Sequence, residues 1–227
     1  MRGTYFFSFR SPYSWLASVG LKKRIETEGG LELVPFWEPD AQSLALLKNR
    51  GGDFPYRQMS DAKHRYILND IRRLTRKFGL EIKWPVDPDP WWELSHLGYL
   101  KANQLGYGKA FFWQVYRARW EQGLDISDPE VISRLCHEAE IPGDATDEIV
   151  DAPQDSGIRK SGVDILYRIY REDIFGVPMF TKKRTQYWGL DRLNDFLELI
   201  DQPLLNGDEL PVARGYPLDF DHAGGCG

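Results

Sequence analysis

A chain of 227 residues, 42% hydrophobic and 14% aromatic, has the apolar content for one large domain or for a domain carrying an insertion, which excludes the disordered class. Its formal net charge of −5 argues against a nucleic-acid binder as a whole, and no apolar run approaches the roughly 18 residues that a membrane helix needs. The cysteines, Cys136 and Cys226, and the histidines, His64, His96, His137 and His222, fall at no metal-ligand spacing, so no metal site is expected.

The N-terminal apolar segment is too short for the core of a signal peptide, which makes a cytoplasmic protein the expectation. Residues 4–9 form a predicted strand whose aromatic run stops at Ser11-Pro12, where a helix over 12–28 begins at once. Ser11 is placed as the helix N-cap and Pro12 as its first residue, and Gly29-Gly30 ends it. Residues 31–37 give a second strand, parallel to the first through a right-handed βαβ unit. Glu38-Pro39-Asp40 then breaks the sheet pattern and opens an insertion.

Apolar residues at 67, 71, 74 and 78 predict a helix over 63–79. Arg72, Arg73, Arg76 and Lys77 give it a basic face, readable as a solvated surface or as a dock for an acidic partner such as a carrier protein. Pro85, Pro88 and Pro90 make an extended connector to Trp91-Trp92, and helices follow at 93–104, 108–122, 129–139 and 157–173. After Gly176-Val177-Pro178 come hairpin strands at 178–182 and 185–188 and a last helix from Gly189 to near Ile200. Residues 201–227, rich in Pro, Gly and Asp, lie outside the fold.

A strand running into a helix N-terminus can hold an anion or thiolate through free N–H groups and the helix dipole. Thioredoxin-like proteins carry Cys-x-x-Cys at this junction; here Ser11 and Ser14 put hydroxyls in place of both thiols, which excludes disulfide exchange there. The Ser11-Pro12-Tyr13-Ser14 turn, with Gly176-Val177-Pro178-Met179-Phe180 far along the chain, resembles the 2-hydroxychromene-2-carboxylate isomerases and the kappa-class glutathione transferases, two branches of the DsbA-like group. The resemblance spans about residues 4–200 and extends to Lys63-x-x-Tyr66, Asp70-x-x-Arg73, the 111–120 stretch and Asp125-Ile126-Ser127. It implies an α/β fold, a thioredoxin-like sheet with a large all-helical insertion: 1–38 and 174–200 as the thioredoxin-like domain, 39–173 as the insertion and 201–227 as a tail. A homodimer is the expected assembly.

In both families the serine matching Ser11 hydrogen-bonds the glutathione sulfur and favours its thiolate. A helix end contributes up to about 2 kcal/mol, enough to bring a thiol from about 8.5 to about 7. The alternative is a plain N-cap. The resemblance further assigns Val177 and Pro178 to backbone pairing with the cysteinyl unit of glutathione, against a simple turn. It assigns Asp191 to the γ-glutamyl ammonium, against a first-turn carboxylate that complements a helix dipole. Glutathione is thus the candidate cofactor, with two departures from the pattern: Leu190 replaces a serine and Asp53 an asparagine of the glutathione-contacting loop. Lys63, Trp15, Trp37, Trp91 and Trp92 are the candidate substrate residues, suited to a flat, conjugated, largely apolar molecule.

The terminal Cys226-Gly227 is chemically the Cys-Gly-carboxylate that ends glutathione, so Cys226 is a candidate tethered thiol at the Ser11 helix, against a mobile terminus with an incidental thiol. The expected activity is thiol-dependent or cofactor-free cis-trans isomerisation of a conjugated double bond, the substrate free or carrier-bound. The alternatives are a kappa-type glutathione transferase or peroxidase and a non-catalytic binding module of the same fold.

Overall fold

The aromatic run near the N-terminus folds as β1 (Gly3–Phe7), all five residues buried, which explains why it reads as continuous rather than alternating. The structure is a computed structural model that describes residues 3–27, 29–55 and 59–206, so the expectation for Cys226 falls outside the described residues. β1 is central in a four-stranded sheet of order β2-β1-β3-β4, with β2 at Leu31–Pro35, β3 at Met179–Lys182 and β4 at Thr185–Trp188. β1 and β3 run antiparallel, Tyr5 opposite Phe180 and Phe6 opposite Met179. Tyr5 stacks on Phe180 at 4.9 Å between ring centroids, and Phe180 on Phe196 at 5.2 Å.

The predicted first helix is two helices. α1 (Pro12–Gly20) stops at Leu21 and α2 (Lys22–Glu26) restarts beyond it, with Gly20, a weak helix former, at the break. α3 (Ala41–Asn49), a helix beyond those expected, is capped by Asp40, whose carboxylate accepts from the Ser43 N–H at 2.8 Å. α4 (Asp61–Phe78) starts at the Ser60 cap and ends at Gly79, whose φ of 65° closes it in the left-handed conformation. Then come α5 (Trp92–Gln104), α6 (Gly108–Tyr116), a π-helical turn at Arg117–Gln122, α7 (Pro129–Glu138), α8 (Gly143–Val150) and α9 (Ser156–Arg171). A 3₁₀ turn at Leu190–Arg192 leads into α10 (Leu193–Leu199).

The described residues divide into two units: those within 1–34, 56–81 and 174–227, and those within 35–55 and 82–173. The expected insertion therefore loses α4, which packs against α1 in the sheet-bearing unit and buries Ile67, Ile71 and Thr75. In the helical unit α5 is surrounded by α6, α8 and α9, so it is buried nearly all round, and its pattern is correspondingly not amphipathic.

That burial takes in polar groups. Glu93 is fully enclosed and accepts from the Asp40 N–H at 3.0 Å, while its second oxygen reaches no partner at good hydrogen-bond geometry. Burial pushes the Glu93 carboxyl up; the Ser43 hydroxyl, the Asp40 N–H and the Trp37 indole lower it in part, and the Asp40 carboxylate raises it further. Asp40 goes the other way: burial is outweighed by the Ser43 N–H and by Arg159, whose guanidinium donates to both Asp40 oxygens at 3.0 and 3.1 Å. Arg159 also donates to Ser43 Oγ and the Pro153 carbonyl.

A raised folded pKa for Glu93 means stability that is complete below the ordinary glutamate value and is lost as pH rises through the folded one. Glu93→Gln removes the titration. The melting-temperature difference, variant minus parent, should therefore grow more positive from about pH 4 to about pH 8. A difference flat across that range would show that Glu93 is not the source of this pH dependence.

Candidate active site

β1 hands over to α1 through a short loop in which the Ser11 N–H donates to the Ser8 carbonyl at 3.1 Å. Ser11 is extended, with φ −91° and ψ 117°, as an N-cap must be, and its Oγ accepts from the Ser14 N–H at 3.2 Å. With the oxygen engaged as acceptor, the Ser11 O–H is left as a donor, and no acceptor for it lies among the described residues. Ser14 is wholly buried: its Oγ accepts from the Ser8 N–H at 3.3 Å, and its carbonyl takes the Tyr5 hydroxyl at 2.7 Å and the Ser18 hydroxyl at 2.8 Å. Of the two serines at the thiol positions, one is thus a structural pin and the other faces the helix end.

Tyr13, between them, donates its hydroxyl to Asp70 of α4 at 2.6 Å. Asp70 also takes the Arg73 guanidinium at 2.9 Å, which raises the Arg73 pKa, and Arg73 lies over the Tyr66 ring at 5.7 Å. Sequence reading saw Asp70-x-x-Arg73 as a family feature and missed its tie to the Ser11 turn. The i, i+3 acid–base spacing announces an ion pair, but nothing local announces a tyrosine 57 positions away.

The Val177–Pro178 peptide is cis. Continuing the β1–β3 register sets Pro178 opposite Phe7 and Val177 opposite Ser8, just ahead of Ser11. The Pro178 carbonyl accepts from the Gly189 N–H at 3.0 Å, while the main-chain N–H and C=O of Val177 bond to no described residue. Gly176 lies under Trp188: a Cβ there would come within 3.3 Å of the indole nitrogen. The 3₁₀ turn carrying Asp191 packs against α1, with Leu190 buried and the Asp191 carboxylate half exposed beside Arg192 at 3.9 Å. Lys63 is half-buried in the first turn of α4.

The tryptophans divide differently from the expectation. Trp15 is 1% exposed in the core of the sheet-bearing unit, and Trp37, 2% exposed, stacks on His96 at 5.6 Å in the helical unit; both are core side chains rather than open pocket walls. Trp92 is also enclosed, with the Arg119 guanidinium over its ring at 4.9 Å, and only Trp91 is half-buried, its indole N–H on Asp40. Aromatic content alone does not distinguish core from surface. In the same unit Asp53 is exposed, its carboxylate accepting from the Phe54 N–H. Cys136 is buried and its thiol is pushed up to about 11 by that burial, the Thr146 hydroxyl offsetting part. Among the described residues no group of His, Cys, Asp or Glu could hold a metal, and no helix is long and apolar enough to cross a membrane.

A neutral donor on a carboxylate contributes about 1.5–3 kcal/mol where it is shielded, and about half of that at this partly open site. Tyr13→Phe should lower the unfolding free energy by about 1 kcal/mol, and in a double-mutant cycle with Asp70→Asn most of the loss should be shared. Strict additivity in urea titrations would break the link between the turn and α4.

The profile of the DSBA-like thioredoxin domain matches residues 4–201. The chain is 27% identical over 198 residues to the 2-hydroxychromene-2-carboxylate isomerase of Sphingobium xenophagum, spanning 86% of this chain and 94% of that one. Among solved structures it is similar to a 2-hydroxychromene-2-carboxylate isomerase, with a TM-score of 0.67 and 18% identity over 88% of this chain and 95% of that one. It is also similar to the cytosolic disulfide reductase DsbM of Pseudomonas aeruginosa, solved with GSH, with a TM-score of 0.59 and 18% identity over 88% and 98%. The matched span takes in β1, the Ser11 turn, every helix from α1 to α10 and the Val177–Pro178 turn, and the chain belongs to the DSBA-like thioredoxin domain family.

Proposed function

We propose that the protein is an isomerase that holds a thiol-bearing peptide, glutathione, at the N-terminus of α1 and acts on a small conjugated substrate by reversible cis-trans isomerisation. The observation that carries this reading is the Ser11 hydroxyl, whose oxygen caps α1 and whose hydrogen is left to donate. The names of the relatives support it, since the 27%-identical protein is an isomerase and a fold neighbour was solved with GSH. Glutathione, when bound, supplies a thiolate that can add to a conjugated double bond and leave again.

The chain's own part is to bind and orient. Ser11 donates its O–H toward the sulfur position, adding a charge-assisted hydrogen bond to the helix-end field, and both favour the anion over the thiol. Val177 offers an N–H and a C=O side by side on a strand extension, which fits main-chain pairing with an extended peptide. Asp191, half exposed beside α1, suits an ammonium, whereas buried Leu190 offers no polar group. These residues fit the tripeptide at its centre and its amino end. With serines at 11 and 14, the turn has no thiol pair for the redox cycle of a disulfide reductase.

The test uses 2-hydroxychromene-2-carboxylate with glutathione as the probe reaction. Ser11→Ala should cut kcat about a hundredfold, as loss of a preorganised donor does, while costing about 1 kcal/mol of stability as loss of a cap. Product mass should equal substrate mass; a glutathione adduct as the end product would move the reading to a transferase. An unchanged kcat in Ser11→Ala would reduce Ser11 to a cap and overturn the proposal.

A further inference from the structure

α4 carries six basic side chains against two acidic ones, in a chain whose net charge is −5. The basic residues do not form one uniform face. Arg73 is committed to Asp70 and Tyr66, inside the link that holds the Ser11 turn. Arg65, Arg72 and Arg76 are exposed, and their side chains make no hydrogen bond or ion pair to any described residue. At about 100° per residue these three fall within about 40° of arc, on a face turned away from the buried Ile67, Ile71 and Thr75. They make a stripe about 16 Å long, with Asn69 in the interval.

Two members of the stripe suit the helix by position, Arg65 four residues after Asp61 and Arg76 in the last turn where a cation complements the dipole, but the Arg72–Arg76 pair does not. Arg72 and Arg76 stand at i, i+4, where like charges destabilise an isolated helix, and no carboxylate on α4 is spaced to relieve them. A helix tuned only for its own stability would place an acid beside Arg72 and Arg76 as it places Asp70 beside Arg73. We infer that the Arg65–Arg72–Arg76 stripe is a docking surface for a partner protein that presents an acidic helix. The spacings of seven and four residues, about 10 and 6 Å of rise, are those at which carboxylates at i, i+7 and i+11 of a second helix stand. A carrier protein with an acidic helix has this chemistry. Nucleic acid fits less well, because a polyanion longer than the stripe would meet the acidic remainder of the chain. The surface stands apart from the isomerase reading, because none of the three arginines belongs to the Ser11 turn or the Val177–Pro178 turn.

The probe is a fluorescein-labelled 20-residue helical peptide with glutamates at i, i+4, i+7 and i+11, titrated with the full chain in about 20 mM salt. Binding should weaken at least fivefold by about 200 mM salt, as screening of exposed pairs requires. It should fall at least tenfold in Arg65→Gln/Arg72→Gln/Arg76→Gln and persist in Lys22→Gln/Lys23→Gln/Lys48→Gln, which removes the same charge from other exposed positions. Melting curves identify any triple variant that fails to fold, in which case the three arginine single variants, each weakening binding in part, replace it. No binding by the parent chain, or equal loss in both triple variants, overturns the proposal. A labelled DNA duplex bound more tightly than the peptide would overturn it in favour of nucleic acid.

Discussion

The handover from β1 to α1 rests on Ser14, a small polar residue with no exposed surface whose hydroxyl and carbonyl are both engaged. Its Oγ holds the loop at Ser8 and its carbonyl takes the Tyr5 hydroxyl from the strand, so strand, loop and helix are closed on one another by buried hydrogen bonds. Leaving any of these groups unpaired in the interior would be costly, which restricts the turn to one geometry. Ser11 inherits that geometry. Its oxygen is held by the N–H of Ser14, a residue itself pinned to Ser8 and Tyr5, so the cap and the loop are fixed by the same set of hydrogen bonds.

The second support for the turn comes from α4, through Tyr13 and Asp70. The helix tied to the Ser11 turn is therefore also the one whose outer face carries arginines with no side-chain partner among the described residues, and Asp70 with Arg73 lies between the two. In the helical unit the polar interior is arranged around Asp40, which caps α3, binds Arg159 and donates its N–H to Glu93. One aspartate thus serves a helix start, a buried ion pair and an acid kept toward its neutral form.

Much of this was legible in the residues. Ser-Pro at a helix start, the 3.6-residue pattern of α4 with Gly79 behind it, and the Gly-Val-Pro turn are local signals with local causes, and the elements they announce are present. What was not legible is long-range or masked by a competing signal. Pro39-Asp40 reads as a break, yet Asp40 with Ser43 is also a cap, and the cap prevails for α3. α8 begins after Pro142 with no side-chain cap to mark it. The packing of α4 against α1 in the sheet-bearing unit is a long-range choice of partner, which the periodicity of its apolar face does not name. The roles of Trp15 and Trp37 follow from burial, which a count of aromatics does not report.

The burial of Cys136 bears on how the protein responds to its surroundings. With serines at positions 11 and 14, the one cysteine of the described residues is sealed in the interior with a thiol held near 11, so at neutral pH it is almost entirely protonated and poorly reactive. A disulfide in solution finds no accessible thiol to exchange with among the described residues. Members of the same fold that keep two thiols at the helix end register the redox state of their compartment in their own covalent structure. Among the described residues no thiol stands at the helix end to do so, because serines occupy both positions and the one cysteine is buried.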